Sequence, residues 1–114
     1  MLAVFPDACD AVRAADAARE APGDFAWPAD CDVTLSIVLH TGRWSGDAQR
    51  PAAATALSRV MILAKVAEPG QVLVSQATAS MLEGDAVAAR LRSLGERALP
   101  QFDEPIRLYA LTVP

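Results

Sequence analysis

The sequence predicts an α+β or α/β domain in which helices lie on one sheet. Three observations predict it. An apolar helical repeat fills Pro51 to Val66 and is closed by Glu68-Pro69-Gly70. Two-faced strand patterns run through Asp32–His40 and Ile106–Val113. Helical and strand segments succeed one another as β-α-β-α-β-α-β-β, a layered arrangement.

The first element is the short apolar run Met1 to Phe5, cut off by Pro6, which reads as the end of a strand. Asp7 then N-caps a helix, with Asp10 three residues on as a weak capping box. Ala8, Ala11, Val12, Ala15 and Ala18 mark its buried face; Arg13, Asp16 and Arg19 mark the wet one. Ala21 to Asp30 is a loop broken by Pro22-Gly23 and Trp27-Pro28. In the strand Asp32–His40, Val33, Leu35, Ile37 and Leu39 share one face. Thr34, Ser36, Val38 and His40 share the other, where Val38 predicts partial cover. Thr41-Gly42 ends it, and Arg43 to Arg50 is a polar loop around Trp44.

In the central helix Leu57, Met61 and Ala64 recur at helical spacing, with Val60, Ile62 and Leu63 between them. Arg59 and Lys65 are its only charges, so the helix is expected to be covered on most sides. Pro69 cannot continue a helix and Gly70 supplies the turn. Gln71–Val74 is a brief strand, and Ser75 N-caps a helix through Leu82 that ends near Gly84. Leu91–Leu99 is a strand interrupted by a bulge at Gly95. Pro100–Pro105 is a turn before the last strand.

At 114 residues the chain holds one domain. Its 53% hydrophobic and 21% charged residues make it globular, but the apolar share leans on Ala and predicts a shallow core. A net charge of −4 weighs against nucleic acid and anionic membrane surfaces as partners, since both need clustered Lys and Arg. Cys9, Cys31 and one His are too few for a structural zinc site. The two cysteines are expected as thiols in a reducing compartment rather than as a disulfide. The N-terminus lacks the basic start and long apolar stretch of a signal peptide, and no apolar run approaches the roughly 18 residues of a membrane span. A cytoplasmic location is expected.

Four stretches carry a resemblance: LAVFPDACDAVRAADAARE, VTLSIVLHTG, AEPGQVLVSQAT and LRSLGERALPQFDEPIRLYAL. In this order and spacing the chain resembles the C-terminal portion of a class III adenylate/guanylate cyclase domain of the bacterial, mycobacterial-like kind. The resemblance implies a ferredoxin-like, nucleotide-cyclase-like sandwich of helices on a mostly antiparallel sheet, truncated at its N-terminus. Residues 1–114 would be a partial cyclase homology domain without the family's first strand and helices. Loss of that central strand would leave Leu2–Phe5 and Val33–Leu39 with an open edge, a pressure to dimerise or to swap elements.

In that family two protomers pair head to tail. Two aspartates of one protomer hold Mg²⁺ or Mn²⁺, and the partner supplies an Asn and an Arg four residues apart that stabilise the transition state. Carried over, the Asn falls on Ser58 and the Arg on Ile62. The purine-reading Asp falls near Pro51, with Asp47 as a shifted substitute, and the phosphate-binding Lys falls on Pro100. Both metal aspartates would lie upstream of Met1. The expectation is therefore no catalytic residue and no metal or other cofactor as given, with Mg²⁺ or Mn²⁺ needed only if an upstream Asp pair exists.

Other residues read structurally. Arg59 is expected as a solvated helix charge, His40 as a hydrogen-bonded structural residue, and Asp103-Glu104 as turn chemistry. Trp44 either anchors an interface or folds back over the sheet. With Met61 and Ile62 it makes the candidate interface. The functional expectation is a degenerate cyclase-like module without cyclase activity, forming a homodimer or a heterodimer with a cyclase-like domain and binding purine nucleotide weakly at most. The alternative is part of an active adenylate or guanylate cyclase whose metal-binding segment lies upstream.

Overall fold

The computed structural model describes residues 2–20, 35–42 and 51–113, and of residues 51–54 the backbone alone. Helix α1 (Ala8–Glu20) starts where the Asp7 carboxylate accepts the Cys9 N–H at 2.7 Å. This satisfies one of the donors that every helix leaves free at its start. Asp10 pairs with Arg13 at 3.3 Å. Next come β1 (Ile37–Leu39), α2 (Pro51–Val66), β2 (Val72–Ser75), α3 (Gln76–Met81), a 3₁₀ turn at Ala86–Arg90, β3 (Leu91–Arg97) and β4 (Ile106–Leu111).

The four strands form one mixed sheet in the order β1-β2-β4-β3. β1 and β2 run parallel, with Val38 opposite Leu73. A parallel pair needs a long crossover, and α2 supplies it. The β2–β4 and β4–β3 pairs are antiparallel. The fold is thus α+β on a mostly antiparallel sheet, with helices on both of its faces.

Strand β2 is buried at all four residues, as its central place and its lack of charge require. Its side chains alternate between two small cores. On one face Val72 and Val74 meet Val12 and Ala15 of α1, Ala79 and Leu82 around α3, and Leu111. On the other, Leu73 meets Leu63 of α2 and Leu108. Val38 joins this second core, so β1 is covered on both faces.

Turn chemistry sets the ends. Gly70 takes φ +78° after α2. Ser75 accepts the Thr78 N–H and caps α3. In β3 the register slips between Ser93 and Gly95, where Gly95 has φ +87°. The bulge reverses the facing of the strand residues beyond Gly95. Arg97 therefore lines the same groove as Arg92 and Leu94, while Glu96 pairs with Arg107 at 3.7 Å.

Four expectations are corrected. Leu2–Phe5 is not a strand, and Leu2, Val4 and Phe5 stand 52%, 51% and 40% exposed. An apolar run becomes a strand only where a neighbour pairs its backbone, and no described segment does. Asp16 and Arg19 are not wet: Asp16 is held by Arg90, and Arg19 donates to the Leu111 carbonyl at 2.8 Å. Helix α2 is covered on one side rather than most: Leu63 is fully buried and Met61 is 66% exposed. Arg59 is not a solvated charge but is tied to the hairpin at Gln101 and Phe102. The 3₁₀ turn is an addition to the expected elements; its cap is Asp85, which accepts the Val87 N–H at 3.0 Å.

Candidate functional site: the outer face of α2 and its hairpin

Helical spacing sets which side chains of α2 look outward. With Leu63 seated on the sheet, Ser58, Met61 and Lys65 fall on the opposite side, and all three are exposed. Ile62 sits on the flank, half-buried. Arg59 lies on the inner edge. Its Nε donates to the Gln101 carbonyl at 3.0 Å, and its guanidinium lies 5.0 Å from the centre of the Phe102 ring. This clamp brings the helix carrying Ser58 and Ile62 against the hairpin carrying Pro100. No pattern in the sequence signals it, because the partner lies 42 residues away.

Behind the clamp lies a polar seam. His40 Nδ1 shares a hydrogen bond with Ser75 Oγ at 2.8 Å, and Thr41 Oγ1 with Thr78 Oγ1 at 2.9 Å. The His40 ring meets Phe102 edge-on at 6.0 Å, and its enclosed Nε2 has no partner among the described residues. Burial, and then the nearby Arg59 charge, push the imidazole below the usual histidine range. Gly42 lets the chain pass close to α2: a Cβ there would stand 3.1 Å from that of Ala56.

A His beside a Ser invites a nucleophilic reading, but Ser75 is 1% exposed and spends its oxygen capping α3. No substrate carbonyl can reach it. The seam instead joins the end of β1 to the start of α3, which agrees with His40 as a structural residue.

Elsewhere the chemistry is sparse. Ser58 offers one hydroxyl to solvent, Ile62 has no donor, and Pro100 is exposed in the hairpin turn. Pro51 opens α2, and only its backbone is described. Trp44, Asp47 and Cys31 lie outside the described residues. Cys9 is a free thiol donating to Asp85 at 3.1 Å, and that bond is the main cause that raises it above the usual thiol range. Such a thiol is a poorer nucleophile. Among the described residues no three His, Cys, Asp or Glu side chains gather to hold a metal ion. Nor is any described helix long and apolar enough to cross a membrane.

No protein-family model matches the chain, and no curated protein is significantly similar to it. Among solved structures it is similar to the adenylyl cyclase CyaB from P. aeruginosa, at 24% identity over 52% of this chain with a TM-score of 0.45. The aligned part spans 29% of that chain.

Proposed function

We propose that this chain is a degenerate class III cyclase-like domain that has lost nucleotide cyclisation and serves as an interaction or regulatory module in cyclic-nucleotide signalling. Its partner is a second cyclase-like domain, another copy or a heterologous one, docked on the outer face of α2. The observation that carries the reading is the state of α2. Its outward side presents Met61, 66% exposed, beside Ser58 and Ile62. The helix position where the resemblance puts a transition-state Arg is a half-buried Ile, and the helix's own Arg59 is engaged by Gln101 and Phe102. A helix without a charge donor at that place can bind a partner but cannot neutralise phosphate charge. Removal of one such stabiliser lowers turnover by about 10²–10³.

The test has two arms. Purified chain incubated with ATP or GTP and Mg²⁺ or Mn²⁺ is expected to form no cyclic nucleotide; measurable turnover sinks the loss of activity. Sedimentation velocity is expected to show self-association, or association with an added cyclase domain, that Met61→Glu abolishes. A chain that stays monomeric in both settings sinks the interaction role.

A further inference from the structure

We propose that the groove between the end of α2 and β3 binds an extended acidic segment of a partner protein, one that carries a carboxylate on each side of an apolar residue. This does not rest on the cyclase-like reading, because the residues that line the groove are not those of the outer face of α2. Helix α2 seats Leu63 on Leu73 and Leu108, and the sheet beyond them stays open at its edge strand, where Leu94 is 36% exposed. The groove holds about 290 Å³, with Leu73 and Leu108 as its floor, Glu68 on one rim and Arg92, Leu94 and Arg97 on the other. That is just below the size of clefts that enclose a small molecule, and it suits an anchoring side chain.

Strand register sets which side chains line it. Arg92 pairs with Ala110 and Arg97 with Ile106, and the slip between Ser93 and Gly95 keeps both arginines on the face of Leu108. Ala110 and Ile106 are four residues apart in β4, so the two arginines are rooted about 13 Å apart along the strand, with Leu94 between them. The other described arginines are engaged: Arg13 by Asp10, Arg19 by the Leu111 carbonyl, Arg59 by the Gln101 carbonyl, Arg90 by Asp16 and Arg107 by Glu96. Arg92 and Arg97 have no partner among the described residues. Two arginines against one Glu68 give the groove an excess of positive charge in a chain of net charge −4. An extended segment sets every second side chain on one face, so its residues i and i+4 also span about 13 Å, with i+2 between them. Carboxylates at i and i+4 meet Arg92 and Arg97 while an apolar side chain at i+2 settles on Leu94. A lone phosphate or carboxylate would leave Leu94 uncovered. The bulge and the two charges guard the free edge of β3 against an added strand, so recognition is by side chains over the sheet face.

The test titrates the full chain with the peptide Ser-Glu-Thr-Leu-Thr-Glu-Ser at constant ionic strength and tracks the backbone amides by NMR. Saturable shifts are expected, concentrated at Glu68 and along Arg92–Arg97. Arg92→Gln and Arg97→Gln are each expected to weaken binding about threefold to fivefold, the loss of one exposed ion pair, while leaving the thermal midpoint unchanged. Glu68→Gln removes the opposing charge and is expected to tighten binding. The isomer Ser-Thr-Glu-Glu-Leu-Thr-Ser, of equal charge, is expected to bind more weakly. Met61→Glu is expected to change none of this, which separates the groove from the outer face of α2. Shifts that do not saturate, or that persist unchanged in both arginine variants, would overturn the site. The isomer or inorganic phosphate binding as tightly as the first peptide would overturn its assignment to a spaced acidic segment. Shifts of the same amides with protein concentration alone would give the groove to a second copy and overturn the acidic partner.

Discussion

Arg90 grips Asp16 through two bonds, 2.7 and 3.0 Å, and donates to the Thr112 carbonyl at 2.7 and 2.9 Å. One guanidinium thereby ties α1 to the end of β4. The pair is mostly enclosed, with side-chain exposures of 18% for Arg90 and 25% for Asp16. The hydrogen bond from Arg90 is the main reason the Asp16 carboxyl is held below the usual carboxylate range.

Asp16→Asn is therefore expected to lower stability by about 1–2 kcal/mol at neutral pH, more than an exposed pair and less than a fully buried one. Proton linkage sets the sign with pH. A lowered carboxyl pKa contributes stability above the unfolded value near 3.9 and loses it as pH falls through the folded one. Urea unfolding of both proteins is expected to show the difference shrinking in acid. A constant difference down to the acid limit would mean that the loss is packing, not charge.

His40 gives a linkage of the same sign, but nearer neutral pH. Its folded pKa lies below the unfolded value near 6.5, so between the two the unfolded chain binds more protons. Stability is full above that value and falls as pH drops below it. A charged ring would add an enclosed N–H without an acceptor and face Arg59. His40→Asn is expected to flatten the loss of stability between neutral and mildly acid pH. Thermal midpoints across that window check it; equal slopes for both proteins would place the titration elsewhere.

These two residues also mark what the sequence could show. Local rules reach α2, the Gly70 turn, the Ser75 cap, the bulge at Gly95 and the two-sided cover of β1, because each depends on neighbours within a turn or a strand. The 3₁₀ turn is within their reach too, since Asp85 ahead of Ala86 and Val87 is a capping signal. The partners of Asp16, Arg19 and Arg59 are not, as each lies 42 or more residues away. Periodicity assigns a long polar side chain to solvent, whereas an arginine stem can cross an element edge and find a carbonyl. Leu2–Phe5 fails for a related reason: strand propensity is realised only by pairing. Of the candidate site, Ser58, Met61 and Ile62 are legible as surface or flank of α2. The depth of that exposure is not, since an apolar helix looks the same whether the chain's own sheet or another molecule covers it.

Gly95 offers a direct test of the bulge. Its φ of +87° disfavours any L-residue, and a Cβ there would meet nothing within 4 Å. The penalty of Gly95→Ala is thus backbone strain alone, about 1–2 kcal/mol. If the chain escapes it by losing the bulge, Glu96 moves to the face of Arg92 and its pairing with Arg107 breaks. Amide hydrogen exchange is expected to rise through residues 93–97 and to stay unchanged in β2. Exchange identical to the parent would show that the left-handed residue is not what sets the register.

Met61 and Leu63 are two residues apart on α2 and are expected to respond oppositely to truncation. Leu63 is fully enclosed against Leu73 and Leu108. Leu63→Ala leaves a cavity in the smaller core and is expected to lower stability by about 2–5 kcal/mol at any protein concentration. Met61, at 66% exposure, has little to lose within one chain. If a partner covers the outer face of α2, Met61→Ala has almost no effect on the dilute monomer but weakens association. Its unfolding midpoint then falls below the parent's only as concentration rises, because a bound partner stabilises by mass action. Unfolding curves over a wide concentration range separate the cases. A midpoint that does not depend on concentration in the parent, and that Met61→Ala leaves in place, would mean that the exposed face of α2 has no partner in a second copy.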